Sequence, residues 1–125
     1  AREPVILVVD DEAGIRNVIR TILEPEGYRL VTAADGAEAL EAAQRDAPDV
    51  LILDLKMKGM TGGEVLRQLR HIQPDLPAIV ITGYPESQMM EEALNYSPVT
   101  LLPKPVENEV LRKTVRLILN GARRR

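Results

Sequence analysis

Five residues with polar, chemically useful side chains stand at the ends of four apolar runs. Asp10 and Asp11 follow Val5–Val9, Asp54 follows Val50–Leu53, Thr82 closes Ala78–Thr82, and Lys104 lies just beyond Val99–Leu102. Brought together, three carboxylates repel, so either one stays protonated or a cation sits among them. Oxygen ligands without Cys or His at the site select a hard divalent ion. Magnesium suits such a set, because it keeps several waters, takes few carboxylates and accepts a phosphoryl oxygen as a further ligand. An ammonium group such as Lys104 can neutralise a second phosphoryl oxygen, and the Thr82 hydroxyl can donate to a third. Phosphoryl transfer asks little covalent chemistry of a protein beyond a nucleophile; positioning and charge stabilisation dominate. Asp54 would be that nucleophile, forming an acyl phosphate. Taken singly, each residue has a plainer role: Asp10-Asp11 as a helix N-cap pair, Asp54 as the start of a turn, Thr82 as a strand residue, Lys104 as a surface lysine. Their joint occurrence at four strand ends carries the functional reading.

That reading needs elements that bring the strand ends together. Five apolar runs recur (Val5–Val9, Tyr28–Ala33, Val50–Leu53, Ala78–Thr82, Val99–Leu102), each followed by a helical pattern. The first and third are almost continuously β-branched or Leu, as strands buried on both faces of a parallel sheet are. Ile15, Val18, Ile19, Ile22 and Leu23 lie on one helical face. Pro25 stops that helix and Gly27 permits the turn back. Ala37, Leu40 and Ala43 mark a second helix with Asp35 as its N-cap. Val65, Leu66, Leu69 and Ile72 mark a third, opened by a Gly62-Gly63 turn. Met89, Met90, Ala93 and Leu94 mark a short fourth. Val110, Leu111, Val115 and Ile118 mark a fifth, ended by Gly121. The alternation predicts one doubly wound (βα)5 α/β domain with a five-stranded parallel sheet and right-handed crossovers. In the flavodoxin-like strand order 2-1-3-4-5, the first and third strands are neighbours, and ligands bind beyond the carboxyl ends of the strands. Asp10, Asp11 and Asp54 then share one crevice.

Composition narrows the classes. The 125 residues suit one domain. With three Tyr and no Phe or Trp, the core must be built from Val, Ile, Leu, Ala and Met. The absence of Cys rules out disulfides and thiolate metal sites, and is compatible with a reducing cytoplasm. No apolar run reaches the length of a membrane span, and Arg2-Glu3-Pro4 is unlike the start of a signal peptide. Net charge is −3, and three of the 16 positive residues are Arg123, Arg124 and Arg125, so the body is more acidic than the total. An acidic body disfavours nucleic acid as a direct ligand. Residues 1–121 are expected to form the domain, and 122–125 a basic tail or the start of a linker. No DNA-binding or ATPase segment follows residue 121, so the chain reads as a stand-alone unit or one excised from a longer protein.

The chain resembles the receiver domain of two-component response regulators over essentially its whole length. The matching motifs are Val8-Val9-Asp10-Asp11-Glu12, Asp54-Leu55-Lys56-Met57 followed by Gly59-Met60-Thr61-Gly62, Ile81-Thr82-Gly83, and Leu102-Pro103-Lys104-Pro105. The resemblance implies a phosphorylation-dependent signalling switch, in which Asp54 accepts a phosphoryl group from a sensor histidine kinase or a histidine phosphotransfer protein. It implies Mg2+ bound by Asp11, Asp54 and the carbonyl of Lys56, with Asp10 acting through water. Thr82, Lys104 and the amides of Lys56 and Gly83 would bind phosphoryl oxygens. The Lys104–Pro105 bond would be cis. Such a domain is not a turnover enzyme, although it promotes its own magnesium-dependent phosphorylation and dephosphorylation. The fourth helix, fifth strand and fifth helix would face an output domain or downstream protein, with a homodimer allowed and neither nucleic acid nor membrane as direct partner.

Three positions depart from the family pattern. Leu101 stands where an aromatic ring usually swings inward, which excludes a ring switch there. Lys58 stands where Pro is common, and Tyr84 is not the usual switch aromatic. Rival readings fare worse. A haloacid-dehalogenase-type phosphohydrolase wants an acid two residues after its nucleophile, where this chain has Lys56. A flavodoxin-like cofactor binder would not place Asp10-Asp11 against a phosphate. An interaction module that keeps the pocket but works by protein contact remains the serious rival. His71 reads as a surface residue at a helix end. Met89 and Met90 suit either an adaptable partner surface or the core.

Overall fold

The computed structural model describes residues 2–123. Five parallel strands form one sheet in the order β2-β1-β3-β4-β5. They are β1 (Val5–Val9), β2 (Arg29–Ala33), β3 (Val50–Asp54), β4 (Ala78–Thr82) and β5 (Val99–Pro103), alternating with α1 (Ala13–Leu23), α2 (Gly36–Asp46), α3 (Gly62–Ile72), α4 (Gln88–Leu94) and α5 (Asn108–Arg123). Every residue of β1, β3 and β4 is buried, as their unbroken apolar runs require of strands covered on both faces. The sheet separates two apolar clusters. One packs Leu51, Leu53 and Val80 under α2, α3 and α4; the other packs Ile6, Val8 and Ile52 under α1 and α5.

Local chemistry sets the helix ends. After α1, Pro25 sits in a short 3-10 turn (Glu24–Glu26), and Gly27 turns the chain at φ +89°. Asp35 caps α2 by accepting from the Glu38 amide at 2.9 Å. The buried face of α2 is Ala39, Ala42 and Ala43 with Leu40 half-buried, whereas Ala37 is exposed. In so Ala-rich a helix, hydrophobicity alone sets the rotational phase poorly.

The Gly62-Gly63 pair is not a turn but the first residues of α3, capped by Thr61 Oγ1 accepting from the Glu64 amide at 3.2 Å. Glycine is needed at 62 because an added Cβ would stand 2.6 Å from Leu55 Cα. Nor does Gly121 end the last helix. It has no positive φ, and α5 runs on to Arg123, so the expected boundary at 121 falls inside a helix. Arg124 and Arg125 lie outside the described residues. Val18, Leu94 and Val110, expected on apolar helix faces, are exposed at the edges of those faces.

Candidate functional site

Strand register brings the chemical residues together. Val9 pairs with Leu53, so Asp10 emerges beside Asp54 at the carboxyl edge of the sheet. Asp54 pairs with Ile81, which sets Thr82 one step beyond, and Thr82 pairs with Pro103, which sets Lys104 one step beyond. One carboxylate oxygen from each of Asp10, Asp11 and Asp54 lies within 4.8 Å of the others. Lys104 Nζ stands 3.5 Å from Asp54 Oδ1. A cavity of about 590 Å3 opens here, lined by Asp11, Glu12, Asp54, Lys56, Lys58 and Lys104 among others. The Lys104–Pro105 bond is cis as expected; Ser97–Pro98 is also cis.

Asp10, Asp54 and Thr82 are the buried polar residues among those described. Burial raises the Asp10 carboxyl above its ordinary range; the Glu12 amide, donating at 2.9 Å, opposes this, while the charge of Asp54 adds to it. Burial also raises Asp54, opposed first by the charge of Lys104 and then by the Lys56 amide donating at 3.2 Å. So even with an ammonium group 3.5 Å away, desolvation dominates at Asp54. The cluster is short of positive charge, and three hard oxygen donors make a good fit for Mg2+.

The second oxygens and protons are also arranged. Asp54 Oδ1 carries both the Lys56 and the Lys104 contacts. Thr82 Oγ1 accepts from the Tyr84 amide at 3.0 Å, leaving its own proton to donate outward. Lys56, which lines the cavity, also reaches Tyr84, with its Nζ 5.5 Å from the ring centroid. His71 is exposed in the last turn of α3. Met90 is buried and Met89 packs partly against the same core.

Side-chain types in the sequence pointed to none of three further contributors. Arg16 Nη1 donates to the Asp10 carbonyl at 2.6 Å, bracing the strand end from α1. The Lys58 amide donates to Asp11 Oδ2 at 3.2 Å. Arg70 donates from Nε to the Tyr96 carbonyl at 2.8 Å and from Nη2 to the Pro98 carbonyl at 2.9 Å, tying α3 to the segment between α4 and β5. Each uses a backbone atom, and backbone donors and acceptors are the same for nearly every residue type.

A family model for the response regulator receiver domain matches residues 6–116. Sporulation initiation phosphotransferase F of Bacillus subtilis (strain 168) is 34% identical over 114 residues, covering 91% of this chain and 92% of that protein. The response regulator MprA of Mycobacterium leprae (strain TN) is 40% identical over 114 residues, and the match covers 91% of this chain but only 50% of that relative. Among solved structures, the chemotaxis protein CheY4 of Vibrio cholerae superposes with a TM-score of 0.87 at 33% identity, covering 94% of this chain and 99% of that one. A CheY-like receiver domain protein from Methanospirillum hungatei JF-1 gives 0.92 at 27% identity, covering 98% of each chain.

Proposed function

The chain belongs to the response regulator receiver domain family, and on that premise we propose that Asp54 is its phosphoacceptor, served by Mg2+, Thr82 and Lys104. Receiver domains are phosphoryl-accepting signalling switches rather than turnover enzymes, and the family binds Mg2+ through acidic residues. The observation that carries the proposal is the cluster of three carboxylates within 4.8 Å beside the Lys104 ammonium.

In this reading the donor is the phosphohistidine of a sensor kinase or phosphotransfer protein. Asp54 Oδ2 attacks phosphorus, the P–N bond breaks, and its electron pair leaves on the imidazole nitrogen. Asp11, Asp54 and the Lys56 carbonyl would hold the cation, with Asp10 assisting. When bound, it supplies positive charge against the phosphoryl oxygens. Lys104 neutralises one of those oxygens, the Thr82 hydroxyl donates to another, and the amides of Lys56 and Gly83 complete the cradle. Because the Tyr84 amide holds Thr82 Oγ1, a shift of that hydroxyl toward the phosphoryl group pulls on the segment leading into α4. The α4-β5-α5 surface is the output face, offered to an attached or separate partner. The cytoplasm is its place of action; among the described residues no helix is long and apolar enough to cross a membrane.

Incubation with acetyl phosphate and magnesium, read by intact mass, tests this. The wild type should gain one phosphoryl group and Asp54→Asn none. Labelling of Asp54→Asn equal to wild type would remove Asp54 from the role. Failure of the wild type to label would favour a module that keeps the pocket but works by contact alone.

A further inference from the structure

We infer that the backbone N–H of Lys58 is a latch on Asp11 that competes with the divalent cation, so that cation binding and release of the loop after β3 are linked. The inference rests on the proposed cation role of Asp10, Asp11 and Asp54.

The loop spans residues 55–61. Its base is closed by the Gly62 amide donating to the Leu55 carbonyl at 3.1 Å. Between these ends, two loop amides reach the carboxylates of the site. The Lys56 amide bonds Asp54 Oδ1, which is local. The Lys58 amide bonds Asp11 Oδ2 at 3.2 Å, across 47 positions of sequence, and so pins the loop to the end of another strand. Gly59 follows at φ +81°, a left-handed bend beside the latch.

A hydrogen bond to an ionised acceptor is stronger than a neutral one, and each bond occupies a lone pair. Asp11 is one of the three clustered carboxylates, so a cation drawing on its Oδ2 competes with that N–H, and one drawing on Oδ1 weakens the charge that holds it. Displacement frees a loop whose Lys56 and Met57 line the cavity. The latch depends on residue 58 having an amide proton, which every residue but Pro supplies. The exposed Lys58 side chain is not what holds it.

The test compares Lys58→Pro, which lacks the donor, with Lys58→Ala, which keeps the donor and lacks the charge. Magnesium affinity is measured by calorimetry on chelator-treated protein, and the Lys58 amide of the wild type is followed by hydrogen exchange with and without saturating MgCl2. We expect Lys58→Pro to bind magnesium about fivefold more tightly than Lys58→Ala, the weight of one solvent-exposed hydrogen bond. The wild-type amide should lose protection when magnesium is added. Equal or weaker binding by a natively folded Lys58→Pro overturns the latch. So does an amide equally protected with and without magnesium, and that measurement decides alone if the proline variant does not fold. Wild-type binding that Asp11→Asn abolishes, with the Pro and Ala variants equal, refutes the latch and leaves the cation site standing. No binding to the wild type at all refutes the cation site, and the latch with it.

Discussion

A buried carboxylate destabilises the fold that contains it unless something offsets its charge, and Asp10 and Asp54 are both almost fully buried. For Asp10, burial and the neighbouring carboxylates raise the folded-state pKa above the unfolded one. The native state then holds the proton more tightly, so stability without a cation falls as pH rises through that window. Asp10→Asn should therefore raise the thermal midpoint in EDTA at neutral pH, by a few degrees for a domain of this size. Its advantage should shrink as the medium is acidified below the ordinary carboxylate range, and magnesium should stabilise the wild type more than the variant. A variant no more stable than wild type in EDTA would show that the cluster is not under electrostatic stress. We propose that Lys56 and Tyr84, whose ammonium and ring centroid lie 5.5 Å apart, flank the approach opposite Asp54; neither offers a carboxylate or amide to hold a water in line. The phosphoryl group should consequently persist. After donor removal, the wild type should dephosphorylate more slowly than a Lys56→Asn, Tyr84→Glu double variant; equal decay would take both side chains out of that role. At this scale the sequence was informative wherever side-chain identity decides: Asp10, Asp11 and Asp54 come together as expected, with Lys104 beside Asp54 and Thr82 one register step away. Arg16, Arg70 and the Lys58 amide were invisible to it, because each contact uses a main-chain atom as donor or acceptor.

Elements were legible to the extent that periodicity and caps specify them. All five strands and five helices appear where the apolar runs and the 3.6-residue patterns predict them, and Asp35 and Pro25 act as their chemistry requires. The misreadings have local causes. Helix α2 is rotated because alanines distinguish its faces weakly, and Thr61 rather than glycine starts α3. Gly121 is simply tolerated within α5, at a cost of about 1 kcal/mol relative to Ala. One strained position was not foreseeable. Ala47 ends α2 at φ +44°, the left-handed region that a Cβ disfavours. Ala47→Gly relieves roughly 1–2 kcal/mol of that strain and gives back about 0.4–1 kcal/mol through a more flexible unfolded chain. A net gain of about 0.5 kcal/mol is expected from urea unfolding. A loss instead would mean that Ala47 contributes packing which outweighs its backbone strain.

Across the whole molecule, one sheet keeps the two apolar clusters apart, and the polar residues gather where β1, β3, β4 and β5 run out into loops. The strand order was legible through the flavodoxin-like arrangement that repeated βα units suggest, and in that order β1 and β3 are neighbours whose acidic ends share one crevice. Communication to a distant face was not, since it depends on how α4 is held rather than on residue types. Leu101 is half-buried against the core and carries no ring to flip. A response to phosphorylation is therefore expected to travel through the Thr82–Tyr84 contact into α4; Arg70 ties the segment after α4 to α3 through the Tyr96 and Pro98 carbonyls. Amide exchange with a phosphoryl mimic should change within residues 83–102; a change confined to the loop around Asp54 would leave no path to that face. The composition adds a practical consequence. Three tyrosines and no tryptophan make the chain's ultraviolet emission entirely phenolic. One of those fluorophores, Tyr84, is 61% exposed with the ammonium of Lys56, a residue lining the Asp54 cavity, at its face. The domain thus carries a native fluorophore in contact with a residue of the proposed phosphoryl site, and its emission is expected to respond to occupancy there without an attached dye.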